Sequence, residues 1–206
     1  IATANIALQE QLIAKDLPML AKILPWEFSF ALLKGRNNYV CPSRFRQSHA
    51  QGKFADIANP VHLQQLDDIL VWLKRTETGD VAELSFVPLP PVWSCVSVSA
   101  EECLGEACPE RRACFFEHAR ARAEEAHIVV TNYHMLFAHL AVRMEAGSSQ
   151  VLPPFDILVL DEAHAAADIA RDFFGFTLSE FTFMRLAAAV AEFDRKLMAA
   201  QLRQHA

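Results

Sequence analysis

Four cysteines set the tightest limit on how this chain can fold. Cys103, Cys108 and Cys114 stand close together, with four and then five residues between them, while Cys41 lies far upstream. If the four serve one site, the chain between Cys41 and Cys103 must leave and return as an excursion. Thiolates are soft ligands that select zinc or iron–sulfur clusters. Zinc sites commonly use two short Cys-x₂₋₄-Cys knuckles, and here only the gap from Cys103 to Cys108 is that short. A tight trio with one remote partner suits a larger cubane better than a single ion; zinc and plain structural thiols stay open as alternatives. Gly105 and Pro109 shape the turns between the three. Cys95, the fifth, is expected to be a small hydrophobic residue near the site. The N-terminus carries no basic stretch followed by an apolar one. Disulfides are therefore not expected, and a reducing cytoplasmic setting is.

A second feature lies downstream. The apolar run Phe155 to Leu160 ends on Asp161-Glu162-Ala163-His164. Such a run is expected to be a buried strand, and ligands of open parallel sheets sit at the carboxyl ends of strands. In nucleotide-driven motors the first acid of such a motif holds Mg²⁺, here Asp161 through water, and the metal bridges the terminal phosphates. Glu162 is placed to orient and deprotonate the attacking water, and His164 to couple nucleotide state to the rest of the motor. The plainer alternative is a helix start whose acids complement the dipole.

The remaining pattern fits an α/β protein. Apolar spacing predicts a helix over 6–16 and, after Asp16 and Pro18, a second short one to about Leu24. Phe28, Phe30 and Leu32 alternate as in a strand ending near Lys34. Residues 35–60 are expected to be loop with short helical pieces, 61–75 a helix, and the prolines at 88, 90 and 91 an irregular stretch. A helix is predicted from Cys114 to about Ala126 and a buried strand at Ile128–Thr131. Another helix should run from Tyr133 to about Met144, with a turn at Gly147-Ser148-Ser149 and helix from Ala165 onward. Strand, helix and strand in this order imply a parallel sheet interrupted by an excursion. At 206 residues and 52% apolar composition the chain can bury a sizeable core. No apolar run reaches the roughly 18–20 residues that a membrane span needs, so no membrane partner is expected.

The net charge of −6 does not advertise nucleic-acid binding, but its distribution is uneven. Lys34, Arg36, Arg44, Arg46 and Lys53 form a stretch without acids, whereas from Phe54 to Glu110 ten acids face only Lys74 and Arg75. Arg111, Arg112, Arg120 and Arg122 form a second basic patch, diluted by Glu117, Glu124 and Glu125. Both patches flank cysteines. They are candidate phosphate contacts or, equally, solvated surface charge.

Taken together, these motifs resemble the bacterial DinG/YoaA helicases, relatives of the XPD helicases of superfamily 2. Ala2-Thr3-Ala4-Asn5-Ile6-Ala7-Leu8-Gln9-Glu10-Gln11-Leu12 is similar to the family's motif Ia, and Leu32 to Cys41 to the stretch bearing the first cluster ligand. Cys103, Cys108 and Cys114, followed by Phe115-Phe116 and Ala119-Arg120, match the other three in spacing. Ile128 to His134 resembles the strand before motif II, and Asp161 to His164 motif II itself.

The resemblance implies a [4Fe–4S] cluster on Cys41, Cys103, Cys108 and Cys114, with ATP and Mg²⁺ as the motor's cofactors. It also implies 5′→3′ unwinding of single-stranded or forked DNA in repair or replication, with a repair or replication protein as a further partner. Thr3, Ala4 and Asn5 would contact DNA through motif Ia, and Lys34, Arg36 and Arg112 would contact phosphate. Tyr39 or Phe115 would stack on bases, unless they pack around the cluster. The implied architecture is a partial RecA-like motor domain (1–34 and 119–164), a mostly helical cluster insertion (35–118) and the helical start of an Arch domain (165–206). The Asn-Asn after Gly35-Arg36 inclines toward the YoaA branch.

The departures from the pattern matter as much. The chain contains no Gly-x-x-x-x-Gly-Lys-[Ser/Thr], and it starts at Ile1 as if within an element. We therefore expect a piece of a longer protein, inactive as an ATPase alone. Two other readings compete: a non-catalytic cluster- or zinc-stabilised module binding single-stranded DNA or a protein, and a redox sensor.

Overall fold

The computed structural model describes residues 1–51, 59–146, 151–175 and 190. Lys53, the turn at Gly147-Ser148-Ser149 and the helical reading beyond 175 lie outside the described residues, as does most of the Arch region. The architecture is mixed α/β, mostly helical, around a three-stranded parallel sheet of order β1-β3-β2. The strands are β1 (Ala2–Thr3), β2 (Phe30–Leu32) and β3 (Ile128–Asn132). The central strand pairs Ala2 with Thr131 on one side and Ala31 with Val129 on the other. The Thr131 hydroxyl donates to the Leu33 carbonyl at 2.8 Å, extending the ladder past β2.

Between β1 and β2 the chain is one helical body with three parts: α1 (Ile6–Gln11), a π-helical turn (Leu12–Asp16) and α2 (Leu17–Ile23). Asn5 caps it, its Oδ1 accepting from the Leu8 amide at 3.0 Å. Two helices split near Asp16 were expected, and continuity is the correction. Pro18 cannot donate, and its ring crowds the carbonyl four residues back. Widening the preceding turn, with the Leu17 amide on the Leu12 carbonyl, lets the helix pass the proline instead of ending.

The excursion after β2 holds α3 (Pro42–Ala50), α4 (Pro60–Leu73) and α5 (Pro90–Trp93). All three begin with proline at the first helical positions, where the missing N–H costs nothing. The stretch at Pro88 to Pro91, expected to be irregular, thus contains a helical turn. The chain re-enters through α6 (Phe115–Glu124), then β3, α7 (Tyr133–Ala146) and α8 (Ala166–Phe174).

Two apolar cores result. One packs Ala2, Leu33, Tyr39, Phe116, Ala119, Tyr133 and Leu136 on the sheet. The other packs Val40, Leu66, Ile69, Trp72, Val92 and Val96 within the excursion. Phe115 packs against both. Ile1–Ile169 form one compact unit and Ala170–Ala206 a second.

The expected strand at Phe155–Leu160 is corrected. It lies extended beside β1, but only one parallel bridge forms, Ala2 with Leu160. A two-residue β1 offers no longer ladder. The run is also not buried: as the sheet's outer edge it leaves Ile157 80% and Val159 49% exposed.

Phe115 meets the excursion at Gly79. That glycine has φ +64°, and a Cβ there would stand 2.3 Å from the Phe115 ring. Its carbonyl accepts the Val40 amide at 3.0 Å, so the backbone cannot retreat cheaply. Gly79→Ala should therefore cost about 3 kcal/mol, from left-handed strain plus overpacking. Urea unfolding should show the loss, and the added change Phe115→Leu should recover part of it.

Candidate cysteine centre and acidic motif

Cys41, Cys103, Cys108 and Cys114 line a single cavity of about 570 Å³. The fold brings each there by a local device. Cys41 is the N-cap of α3; its amide donates to the Val96 carbonyl at 2.7 Å, and its Sγ accepts the Arg44 amide at 3.4 Å. A 3₁₀ turn at Gly105–Ala107 separates Cys103 from Cys108, and another at Arg111–Ala113 leads to Cys114, the N-cap of α6. Cys103 Sγ accepts the Gly105 amide at 3.4 Å. Gly105 has φ +56° with open space where a side chain would sit, so its conformation, not room, demands glycine. Cys95 stands apart: its thiol donates to the Pro91 carbonyl at 3.3 Å, and it packs against the excursion's core.

The thiols are half-buried. Burial pushes Cys41 and Cys114 up from the ordinary thiol value, and backbone N–H groups at the two helix starts oppose that. Among the described residues, no three Cys, His, Asp or Glu side chains converge closely enough to hold a single metal ion. The donor set itself, four thiols with N–H groups aimed at two sulfurs, suits a thiolate-bound group larger than one ion.

The charges expected to meet phosphate are largely turned inward. Lys34 is corrected outright. It is fully buried, its ammonium paired with Glu10 of α1 and, at 2.7 Å, with Asp80 of the excursion. Sequence shows a cation after a strand; it does not show the two carboxylates that the fold closes over it. Arg36 lies 3.9 Å over the Phe116 ring and pairs with Glu117 at 3.4 Å. Arg44 pairs with Glu102 at 2.6 Å, Arg46 with Glu110, and Arg111 with Glu106 and Glu117. The basic stretch thus folds against the acidic one, and both flank the cysteines. Arg112 is exposed and forms no ion pair among the described residues.

Thr3 is fully buried, with its hydroxyl on the Asn5 carbonyl at 3.0 Å; Ala4 is half-buried and Asn5 exposed at the start of α1. Of stacking and packing, the two roles open to it, Tyr39 takes packing. It is 3% exposed, its ring edge-on to Phe116 at 5.9 Å and its hydroxyl accepting the Lys34 amide at 3.2 Å. Burial pushes that phenol up to about 12. Phe115 is wedged against Gly79. Both aromatics are spent on packing.

Asp161 sits at the carboxyl end of the edge segment, on the same end of the sheet as Thr3 and Asn132, because every pairing is parallel. Its amide donates to the Ala2 carbonyl at 2.9 Å, and its own carbonyl accepts the Tyr133 hydroxyl at 2.9 Å. Sequence reasoning missed Tyr133 as this anchor; its one signal is a polar-tipped aromatic directly after a buried strand. Glu162 holds φ 54°, ψ 43°, the left-handed region that a non-glycine residue enters at a cost. The next residues turn into a 3₁₀ segment, and His164 Nδ1 stands 3.2 Å from Glu162 Oε2. The half-buried Asp161 and the exposed Glu162, on a forced turn at the strand end, can meet a hydrated cation.

The DEAD_2 family profile matches residues 94–183, spanning the cysteine trio and the acidic motif. The Escherichia coli protein named ATP-dependent DNA helicase YoaA is 36% identical over 191 residues, 91% of this chain and 29% of the relative. Its Haemophilus influenzae namesake is 38% identical over 180 residues, 87% of this chain and 28% of the relative. The Mycobacterium tuberculosis protein named ATP-dependent helicase DinG is 42% identical over 183 residues, 82% of this chain and 27% of the relative. The chain is of the DinG/YoaA type. It spans under a third of the length of these relatives.

The buried triad yields a direct test. Lys34→Met removes the cation from between Glu10 and Asp80 and leaves Asp80, 11% exposed in its side chain, without its partner. A loss of roughly 3 kcal/mol is expected in urea unfolding, because breaking a buried pair from one side strands the other charge. A change under about 0.5 kcal/mol, usual for a surface lysine, would show Lys34 to be solvated.

Proposed function

We propose that this chain is the motor-sheet and cluster-bearing portion of an ATP-dependent 5′→3′ DNA helicase acting in repair or replication. The 35–118 segment would be a [4Fe–4S] insertion in a partial RecA-like domain (1–34 and 119–164), with 165–206 beginning an Arch. The observation that carries this is the meeting of Cys41, Cys103, Cys108 and Cys114 on one cavity within a chain of the DinG/YoaA type.

Those four thiols would hold the cluster, which supplies a rigid thiolate-bound brace between the excursion's return and α6. The chain's own residues do the rest. Two α-helix starts aim amides toward Cys41 and Cys114, favouring their thiolates. Asp161 would hold Mg²⁺ through water with ATP as substrate, while Glu162, held out by its left-handed backbone, would accept a proton from the attacking water. His164, within reach of Glu162, would position that carboxylate. Thr3 and Asn5 support this by setting the start of α1 beside the strand ends, the buried Thr3 through its hydroxyl and Asn5 through its capping side chain. Arg112 is the exposed candidate for DNA phosphate, and Arg36, tied to Glu117, would reach phosphate only by leaving it.

A second reading has its own observation. With no Gly-x-x-x-x-Gly-Lys-[Ser/Thr] among these residues, what the chain does alone is closer to binding DNA or a protein than to hydrolysis.

Anaerobically purified chain should be brown, with iron and acid-labile sulfide in near-equal amounts. Serine at Cys41, Cys103, Cys108 or Cys114 should abolish the colour, and Cys95→Ser should keep it. Colourless, zinc-containing protein would sink the cluster assignment, and bleaching by Cys95→Ser would overturn the ligand set. The 206 residues alone should hydrolyse no ATP; a hydrolysis abolished by Asp161→Asn would refute that expectation.

A further inference from the structure

The wall of the cysteine cavity carries three arginines, Arg36, Arg44 and Arg111. They are not equivalent. Arg36 is spent on the Phe116 ring and Glu117, and Arg111 on Glu106 and Glu117. Arg44 is split between two tasks. Its Nη2 donates to Glu102 Oε1 at 2.6 Å, the carboxylate immediately before Cys103, and its backbone amide donates to Cys41 Sγ at 3.4 Å. Its Nε is buried and has no hydrogen-bond partner among the described residues.

A buried guanidinium N–H without an acceptor is costly, more so than an unsatisfied neutral group. Such groups are rare in native proteins and call for an explanation. The side chain is 17% exposed, and its outer nitrogen already holds Glu102. It is therefore poorly placed for a phosphate arriving from solvent. What it does border is a cavity ringed by four thiols, and any cluster bound there brings sulfur acceptors and net negative charge. Glu102 does more than neutralise it. Its Oε2 accepts the Ser99 amide at 3.2 Å and its own amide donates to the Ser99 hydroxyl at 3.3 Å. That reciprocal pair fixes the carboxylate, and the carboxylate fixes the guanidinium.

We propose that Arg44 is a positioning residue for the cysteine-bound cluster: its Nε–H is kept unpaired by the protein so that a cluster or thiolate sulfur accepts it. The inference rests on the iron–sulfur reading given above. A hydrogen bond and a nearby positive charge both favour the more negative, reduced state of a cluster, so Arg44 raises the reduction potential. It also retains the cluster, since outer partners of metal ligands commonly contribute 10–100-fold in affinity.

The test is an anaerobic dithionite titration of the purified, cluster-loaded chain, followed by visible absorption. A chelator challenge of the oxidised form accompanies it. Arg44→Gln should load the cluster, titrate at a more negative potential than the parent chain and lose iron roughly tenfold faster. Arg44→Lys keeps the charge without the Nε–H; it should titrate between the two. Glu102→Gln loosens the guanidinium and should speed iron loss in the same direction as Arg44→Gln, by less. An unchanged potential and chelation rate in loaded Arg44→Gln would overturn the proposal while leaving the cluster assignment standing. A parent chain that binds no iron and sulfide would remove both. If Arg44→Gln fails to fold, Arg44→Lys decides: a potential equal to the parent's would refute the Nε–H bond.

Discussion

The excursion that carries the cysteines is tied to the first helix and the sheet at one buried charge. Lys34 leaves β2 at the point where the excursion begins, and its ammonium is shared between Glu10 on the helix after β1 and Asp80 on the far side of the excursion. Placing an ammonium out of water is costly unless it is paired and hydrogen-bonded. The fold meets that demand with carboxylates from two separate segments. The consequence is geometric. The helix that begins beside the motif Ia residues, the strand that leads to Cys41 and the loop that carries Gly79 must all reach the same ammonium at once. Tyr39, whose hydroxyl accepts the Lys34 amide, and its antiparallel bridge to Asp80 complete the junction.

A similar economy governs the cysteine cavity. The stretch from Lys34 to Arg46 is basic and the segment after it acidic, and the fold lays one on the other: Arg44 on Glu102, Arg46 on Glu110, Arg36 on Glu117. These pairs bring the upstream cysteine to the downstream trio. Exposed ion pairs contribute little to stability one at a time, but several of opposite sign between two segments bias which surfaces meet. Charge segregation along the sequence, which first suggests a surface for phosphate, works here mainly as register between Cys41 and its three partners.

Much of this was legible beforehand, and the misses have identifiable physical causes. β3 was readable because Ile128 to Thr131 is a β-branched run, and α4 because its apolar residues keep helical spacing. The gathering of four cysteines followed from their chemistry and spacing, and Cys95 was set aside correctly as packing. The fate of Lys34 was not readable, since a lysine's surroundings are decided by residues that are distant in sequence, Glu10 and Asp80. Tyr39 stayed open between stacking and packing for a related reason: an aromatic beside a cysteine looks the same whether it faces a base or Phe116. Pro18 and the prolines at 90 and 91 were over-read as breakers, because a proline's effect depends on its position in the turn. The Phe155–Leu160 run has strand character in its side chains, but a two-residue neighbour leaves it almost nothing to pair with. Strain at Glu162 is invisible in sequence, because nothing about glutamate advertises a left-handed backbone.

Phe115 touches both apolar cores, and its ring fills the space in front of Gly79. The residue after the last cysteine of the trio is therefore shared property of two cores that, among the described residues, have no other large side chain in common. Neither core is free to drift in composition alone. A bulkier residue at 79 requires a smaller one at 115, and a smaller one at 115 opens space beside the cysteine that precedes it. Lineages descending from such a fold would have to change these two positions together, leaving a paired substitution record between residues thirty-six apart in sequence.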